Sequence, residues 1–249
     1  EEAVQSGITD IIIVTGQGKR AVEDHFDYPY ELEKHLLKSK KKALLEEIRH
    51  IATMANFIYV RQKGHYGNAT PVLCAKNIIG NEPFAVLWGD EFIYSKPPRL
   101  KQLIEAYEQH QYSVISAVRI LKKEDVSKYG IAEIEPVKDN VYRILSLVEK
   151  PTPNKAPSNL ATHGGYIFTP EITNSLKKIK PGKDGELWLV DAIRDLMKKE
   201  PVYACEIKKG KYYDTGSKLE YLKANIDFAL SHQDLAQPLL DYIKKIASQ

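Results

Sequence analysis

A chain of 249 residues, 43% of them hydrophobic, has enough apolar material for one substantial core. Thirty-six Lys and Arg against 33 Asp and Glu leave a net charge of +3, too little to argue for nucleic acid or a membrane surface, whereas small anionic ligands stay open. Cys74 and Cys205 form no CxxC pair and read as buried small apolar residues of a reducing compartment, and no apolar run reaches a membrane span, so the expected location is the cytoplasm.

In chain order, Glu1 to Gly7 reads as the last turns of a helix closed by a glycine, which leads us to expect further residues upstream of Glu1. A strand is predicted at Ile11 to Thr15, then helical stretches, a strand at Ile58 to Val60, a helix near Val72 to Ile78, a strand at Phe84 to Leu87 and a helix from Arg99 to His110. That βαβ order implies parallel strands covered by helices. Strand-like runs at Ser113 to Ile120, Ile131 to Pro136 and Val141 to Val148 then follow one another through turns such as Lys138-Asp139-Asn140, implying antiparallel pairing. Helical periodicity returns at Glu171 to Ile179, Leu187 to Lys199 and Ser217 to Ala229, and Pro238 to Ala247 reads as an amphipathic helix. The run Lys38 to Lys42 reads as a solvated helix junction. The expectation is an α/β fold with a mixed, mostly parallel central sheet flanked by helices. With no internal repeat or long linker, residues 1–249 form a single domain in which 217–249 is a C-terminal helical region.

Five short motifs each place glycine or charge just past a predicted strand: Thr15 to Arg20, Arg61-Gln62-Lys63, Gly89-Asp90, Glu149-Lys150-Pro151 and Tyr213 to Gly216. Any one of them is an ordinary turn or exposed ion pair. Together they suggest one shared site, because ligands of open α/β sheets sit beyond the carboxyl ends of the strands. Asp90 and Asp214 offer hard oxygen for Mg²⁺ bridging phosphate oxygens. Glu149 can accept from sugar hydroxyls while Lys150 offers a point charge to phosphate. Gln62 can pair with the edge of a base, and the loop Gly64 to Pro71 can wrap a nucleotide. A rival reading takes Gly16-Gln17-Gly18-Lys19-Arg20-Ala21 as a dinucleotide fingerprint with Glu31 or Glu33 as the ribose acid; the alternative use of Lys19-Arg20 is to begin a surface helix. His25 and His163 read as structural or surface residues.

The segments Ile11 to Phe26, Tyr59 to Lys63, Leu147 to Pro151, Ala156 to Ala161 and Tyr212 to Gly216, in that order, resemble those of the bacterial UTP-glucose-1-phosphate uridylyltransferases, also called UDP-glucose pyrophosphorylases. The resemblance covers nearly the whole chain and implies a Rossmann-like nucleotidyltransferase fold. It implies attack of a sugar phosphate on the α-phosphate of UTP, giving UDP-glucose and pyrophosphate; separately, the amphipathic C-terminal helix leads us to expect a homo-dimer or homo-tetramer. It implies Mg²⁺ at Asp90 and Asp214, uracil at Gln62 and Gly67, and the sugar phosphate at Lys150, with Asp90, Lys150 and Asp214 as the catalytic set. Gly130, Glu149 and Gly165 would line the glucose. Three departures accompany it. The family's glycine-rich G-x-G-T-R loop and nearby Pro-Lys precede the segment that matches Glu1; a non-catalytic nucleotide-sugar-binding or regulatory homologue without that loop is therefore the alternative. The nucleotide loop usually resembles G-L-G-H-A but reads Gly67 to Pro71 as Gly-Asn-Ala-Thr-Pro here, and Glu91 stands where a second aspartate is usual.

Overall fold

The computed structural model describes residues 1–182 and 184–248. The first half runs α1 (Glu2–Gln5), β1 (Asp10–Thr15), α2 (Arg20–His25), α3 (Tyr30–Lys38), α4 (Lys42–Thr53), β2 (Asn56–Arg61), α5 (Ala69–Ile79), β3 (Phe84–Val86), β4 (Glu91–Ser95) and α6 (Arg99–His110). It continues with β5 (Val114–Arg119), β6 (Gly130–Lys138), β7 (Val141–Glu149), β8 (Leu160–Phe168), α7 (Ile172–Leu176), α8 (Leu189–Leu196), β9 (Tyr203–Glu206), β10 (Gly210–Asp214), α9 (Lys218–Ser231) and α10 (Ala236–Ala247).

Six strands form the main sheet in the order β3-β8-β5-β9-β7-β6, beside a parallel β1–β2 ladder and an antiparallel β4–β10 ribbon. The α/β architecture with a mixed sheet is as expected. Among the described residues, parallel pairing is confined to β1–β2 and β5–β9, a smaller share than βαβ order suggests. The reason is β8. The crossover from β3 through α6 to β5 does leave those two strands pointing the same way, but β8 inserts between them and runs antiparallel to both. Opposite β5, the edge of β8 is shared: β6 pairs with Ala161 and Thr162, and β3 with Tyr166 to Phe168.

Burial follows from this position. Nearly every residue of β8 is buried, as a central strand covered on both faces requires. One face packs Leu160 and Phe168 with Leu189, Ile193 and Leu196 of α8, and the other packs Ile167 with Leu100 and Leu103 of α6. The β6–β7 hairpin closes through Asp139-Asn140, with Asp139 at φ +52°, the left-handed conformation that Asp and Asn tolerate in tight turns. Residues 38–42 are exposed, as a solvated junction should be, whereas Cys205 is buried and Cys74 only half-buried, its thiol lying 3.5 Å from the Lys63 carbonyl on the outer side of α5. No helix of the described residues is long and apolar enough to cross a membrane.

Candidate active site

Asp90 lies just past β3 and directly before β4, and Asp214 is the last residue of β10. The ribbon register sets Asp214 opposite Glu91, and Thr215 donates to the Asp90 carbonyl twice, through its N–H at 2.7 Å and its hydroxyl at 2.8 Å. This clasp aims both carboxylates at one place: a Cβ added to Gly216 would stand 3.2 Å from Asp214 Oδ1 and 3.6 Å from Asp90 Oδ2. The pair fits a Mg²⁺ ion, which takes one or two carboxylates and completes its octahedron with water and phosphate oxygens.

Glu91 does not join the pair. Its carboxylate turns inward, accepting the Tyr212 hydroxyl at 2.8 Å, and burial raises its pKa above the usual carboxylate range. The same burial, reinforced by Glu91, raises Tyr212.

A second group forms where β6 meets β7 and β8. Gly130 sits opposite Glu149, and a Cβ on it would come within 3.1 Å of Glu149 Oε2 and 3.2 Å of the Thr162 hydroxyl. A larger residue at 130 would therefore displace both oxygens. Lys150 adopts φ +44°, its N–H donating to the Tyr129 carbonyl at 3.0 Å, and buried Pro151 follows. This left-handed bend in a non-glycine residue stores backbone strain of the kind that clusters at functional sites.

Between the two groups lies a cluster of tilted aromatic rings, Tyr129–His163–Tyr212, with ring centroids 4.9 and 4.2 Å apart. Tyr129 precedes Gly130, and Tyr212 lies two residues before Asp214, so the cluster joins the sugar-side wall to the carboxylate ribbon. His163 is 3% exposed and neither ring nitrogen has a hydrogen-bond partner. Desolvation, helped by the nearby Arg99 charge, pushes its pKa from 6.5 down to about 4 and leaves it neutral. It is a structural residue, as expected; His25 is exposed. Gly165, at φ +136°, faces inward, where a Cβ would meet Ser116 Oγ at 3.0 Å and Arg99 at 3.2 Å.

Gln62 and Gly67 belong to a different part of the fold. The Gln62 N–H donates to the Thr15 carbonyl at 2.8 Å, extending the β1–β2 ladder, and the side chain is half-buried. Gly67 has φ +110°, and a Cβ there would lie 2.2 Å from the Leu187 carbonyl oxygen. Its loop is stapled to the strand-like segment before α8: Leu187 N–H to Tyr66 O at 2.8 Å, Ala69 N–H to Leu187 O at 3.1 Å and Leu189 N–H to Asn68 Oδ1 at 2.7 Å. Backbone contact at this distance admits glycine alone. Among the described residues, no hydrogen bond or ion pair runs from Gln62 or Gly67 to Asp90, Asp214, Glu149 or Lys150.

The dinucleotide fingerprint lacks its physical basis. Nothing lies within 4 Å of a Cβ built on Gly16 or Gly18, so neither glycine serves a close approach of helix and strand. The helix that follows, α2, buries no residue, and Glu33 is paired with Arg49 at 2.6 Å. Sequence reasoning missed Thr162, Glu91's inward role, Tyr212 and Arg99. Arg99 alone carried a signal, since a cation in the first turn of a helix opposes the macrodipole and calls for a carboxylate partner.

Residues 1–230 match the family model described as nucleotidyl transferase. The chain is 42% identical over 246 residues to the UTP–glucose-1-phosphate uridylyltransferase YngB of Bacillus subtilis, covering 99% of this chain and 82% of that one. It is 43% identical over 246 residues to a UTP–glucose-1-phosphate uridylyltransferase of Staphylococcus epidermidis, covering 99% and 85%. Among solved structures it is similar to a UDP-glucose pyrophosphorylase complexed with UDP-glucose (TM-score 0.82, 39% identity, covering 93% of this chain and 84% of that one). It also matches the UTP-bound enzyme of Acinetobacter baumannii (TM-score 0.88, 34% identity, covering 97% and 84%). The mixed α/β sheet and these matches define a nucleotidyltransferase architecture, and the chain belongs to the nucleotidyl transferase family. Within it, the relatives just described are uridylyltransferases.

Proposed function

We propose that this chain forms UDP-glucose and pyrophosphate from UTP and glucose 1-phosphate. The observation that carries the reading is the convergence of Asp90 and Asp214 on one point while Glu149 and Lys150 flank Gly130 across the Tyr129–His163–Tyr212 cluster. A phosphate oxygen of glucose 1-phosphate bonds to the α-phosphorus of UTP, and the bond from that phosphorus to the bridging oxygen breaks to release pyrophosphate. The attacking phosphate is already largely anionic near neutral pH, so alignment and charge neutralisation suffice without a general base. Lys150 meets the sugar phosphate from its pinned bend, Glu149 accepts from glucose hydroxyls, and Gly130 leaves the space they occupy. Gly165, in the irregular stretch of β8 opposite Ser116, lines the glucose with Gly130 and Glu149. Gln62 and Gly67 hold uracil from the ladder side. Asp90 and Asp214 hold Mg²⁺, which supplies charge neutralisation at the phosphate oxygens when bound.

The same reading takes residues 1–249 as one domain with 217–249 its helical end, and places the protein in the cytoplasm. The exposed Leu219, Tyr221 and Leu222 of α9 and Leu240, Tyr242 and Ile246 of α10 support a homo-dimer or homo-tetramer. The test is UDP-glucose formation by the purified chain from UTP, glucose 1-phosphate and Mg²⁺, with pyrophosphate release followed. Turnover that stops on chelation of Mg²⁺ is expected. Saturable UDP-glucose binding with no turnover would instead leave a non-catalytic nucleotide-sugar-binding or regulatory homologue, or a piece of a longer enzyme.

A further inference from the structure

Arg99 is 1% exposed, an extreme for a side chain that never loses its charge. Its partners account for its burial. The guanidinium forks onto Glu2, with Nε to Oε1 at 2.9 Å and Nη2 to Oε2 at 3.0 Å, and Nη1 donates to the Gly164 carbonyl. Glu2 also accepts the Leu100 N–H at 3.0 Å, so one carboxylate neutralises the arginine and caps the start of α6.

Gly164 is the middle of an irregularity. In the pairing of β5 with β8, His163, Gly164 and Gly165 together face the single residue Ser116. The Ser116 hydroxyl donates into this bulge, to the His163 carbonyl at 3.0 Å or the Gly164 carbonyl at 3.4 Å, and Arg99 fills the space in front of Gly165. On the other side of Gly164 stands Glu91: a Cβ on Gly164 would overlap the Glu91 carboxylate and Trp88. Glu91 in turn accepts from Tyr212 and is the register partner of Asp214. Bulges of this kind re-aim a strand next to a site.

We infer that Arg99 is a positioning residue: by holding the Gly164 carbonyl it fixes the bulge that couples the β4–β10 ribbon, with Asp90 and Asp214, to the main sheet, with Gly130 and Glu149. The inference rests on the proposed uridylyl transfer, in which the ion held by the ribbon and the sugar phosphate held by the sheet must meet in one geometry. A misplacement of about 1 Å far from the chemistry is enough to lower turnover about a hundredfold. The guanidinium is required because its rigid planar fork meets the Glu2 carboxylate through two parallel bonds and aims Nη1 at the Gly164 carbonyl, a fixed geometry that a rotating ammonium does not reproduce.

The test uses the full chain, with Arg99→Lys and Tyr212→Phe assayed for UDP-glucose formation while glucose 1-phosphate, UTP and Mg²⁺ are varied separately. Arg99→Lys is expected to lower kcat at least tenfold and to raise both the glucose 1-phosphate KM and the Mg²⁺ half-saturation several-fold, with the UTP KM within twofold of the parent. Tyr212→Phe, which deletes one hydroxyl, should show the same pattern at smaller size and a parent-like circular dichroism spectrum. Parent kinetics in Arg99→Lys, even with a lowered Tm, would make the residue merely structural and overturn the inference; so would an equal rise in the UTP KM. If Arg99→Lys does not fold, Tyr212→Phe decides, and unchanged parameters there overturn it. A parent chain without turnover sinks the underlying reading and this inference with it, and the parent's own assay identifies that case.

Discussion

The proposed sugar-and-metal side of the site rests on β8, a strand buried along almost its whole length and tied to its neighbours by Arg99, Ser116 and Glu91. The proposed nucleotide side rests on β1–β2, a two-stranded ladder in which Thr15 is the one buried member, with Leu36 and Leu45 supplying what α3 and α4 bury. A two-stranded ladder is marginal on its own, and regions with few buried apolar contacts open at low cost. The difference teaches where geometry is imposed and where it adapts. On the proposed reading, phosphoryl transfer needs fixed oxygens, which the buried sheet provides, while uracil is met on the side with the smaller buried core.

The largest effect should separate the two sides by kinetics. Asp214→Asn is expected to lower UDP-glucose turnover about a thousandfold, the rate equivalent of losing several kcal/mol of charge stabilisation. Gln62→Ala is expected to raise the UTP KM about tenfold with kcat retained, the signature of lost uniform binding. Steady-state rates that put the two variants within tenfold of each other in kcat would erase the distinction.

Next comes acid stability, which should belong to the sheet side. His163 titrates at about 4 in the folded chain against 6.5 when free, so below 6.5 the unfolded chain binds the extra proton. The contribution is full above about pH 6.5 and is lost as pH falls through about 4, for a total on the order of 3 kcal/mol. Urea unfolding at pH 7, 5.5 and 4.5 measures it, and His163→Leu should flatten that trend; a variant as acid-sensitive as the parent would place the cause elsewhere.

The smallest effect sharpens the boundary. Gly67→Ala forces its methyl against the Leu187 carbonyl and should cost about 2 kcal/mol, the scale of a strained backbone position. Hydrogen exchange should quicken at Ala69 and Leu187 while β5 and β8 keep their protection. If β8 amides quicken equally, the two regions are one cooperative unit.

Much of this was legible locally. The βαβ order, the β6–β7 hairpin and helix α6 follow from apolar period and turn residues, and the strand-end motifs were found because glycine and charge after an apolar run is a short-range pattern. Strand β8 escaped as a strand because its Gly164-Gly165 bulge interrupts alternation, and β4 and β9, at five and four residues, give too short a period to read. That same insertion reduced the parallel share of the sheet. Gly67 could be marked as a loop glycine, but the reason for it is the backbone of Leu187, far along the chain. Thr162, Tyr212 and Glu91 acquire their roles from register across strands distant in sequence, which no local pattern encodes.

The left-handed bend at Lys150 sets durability against output. An L-residue holding φ +44° costs about 1 kcal/mol that glycine would not, part of it returned through the looser unfolded chain that glycine allows. A breeder selecting only for survival on heating would favour Lys150→Gly and never notice that the cation had gone. If Lys150 meets the sugar phosphate as proposed, one selecting for product would discard the same allele at once, and this codon would then report which of the two pressures a lineage has lived under.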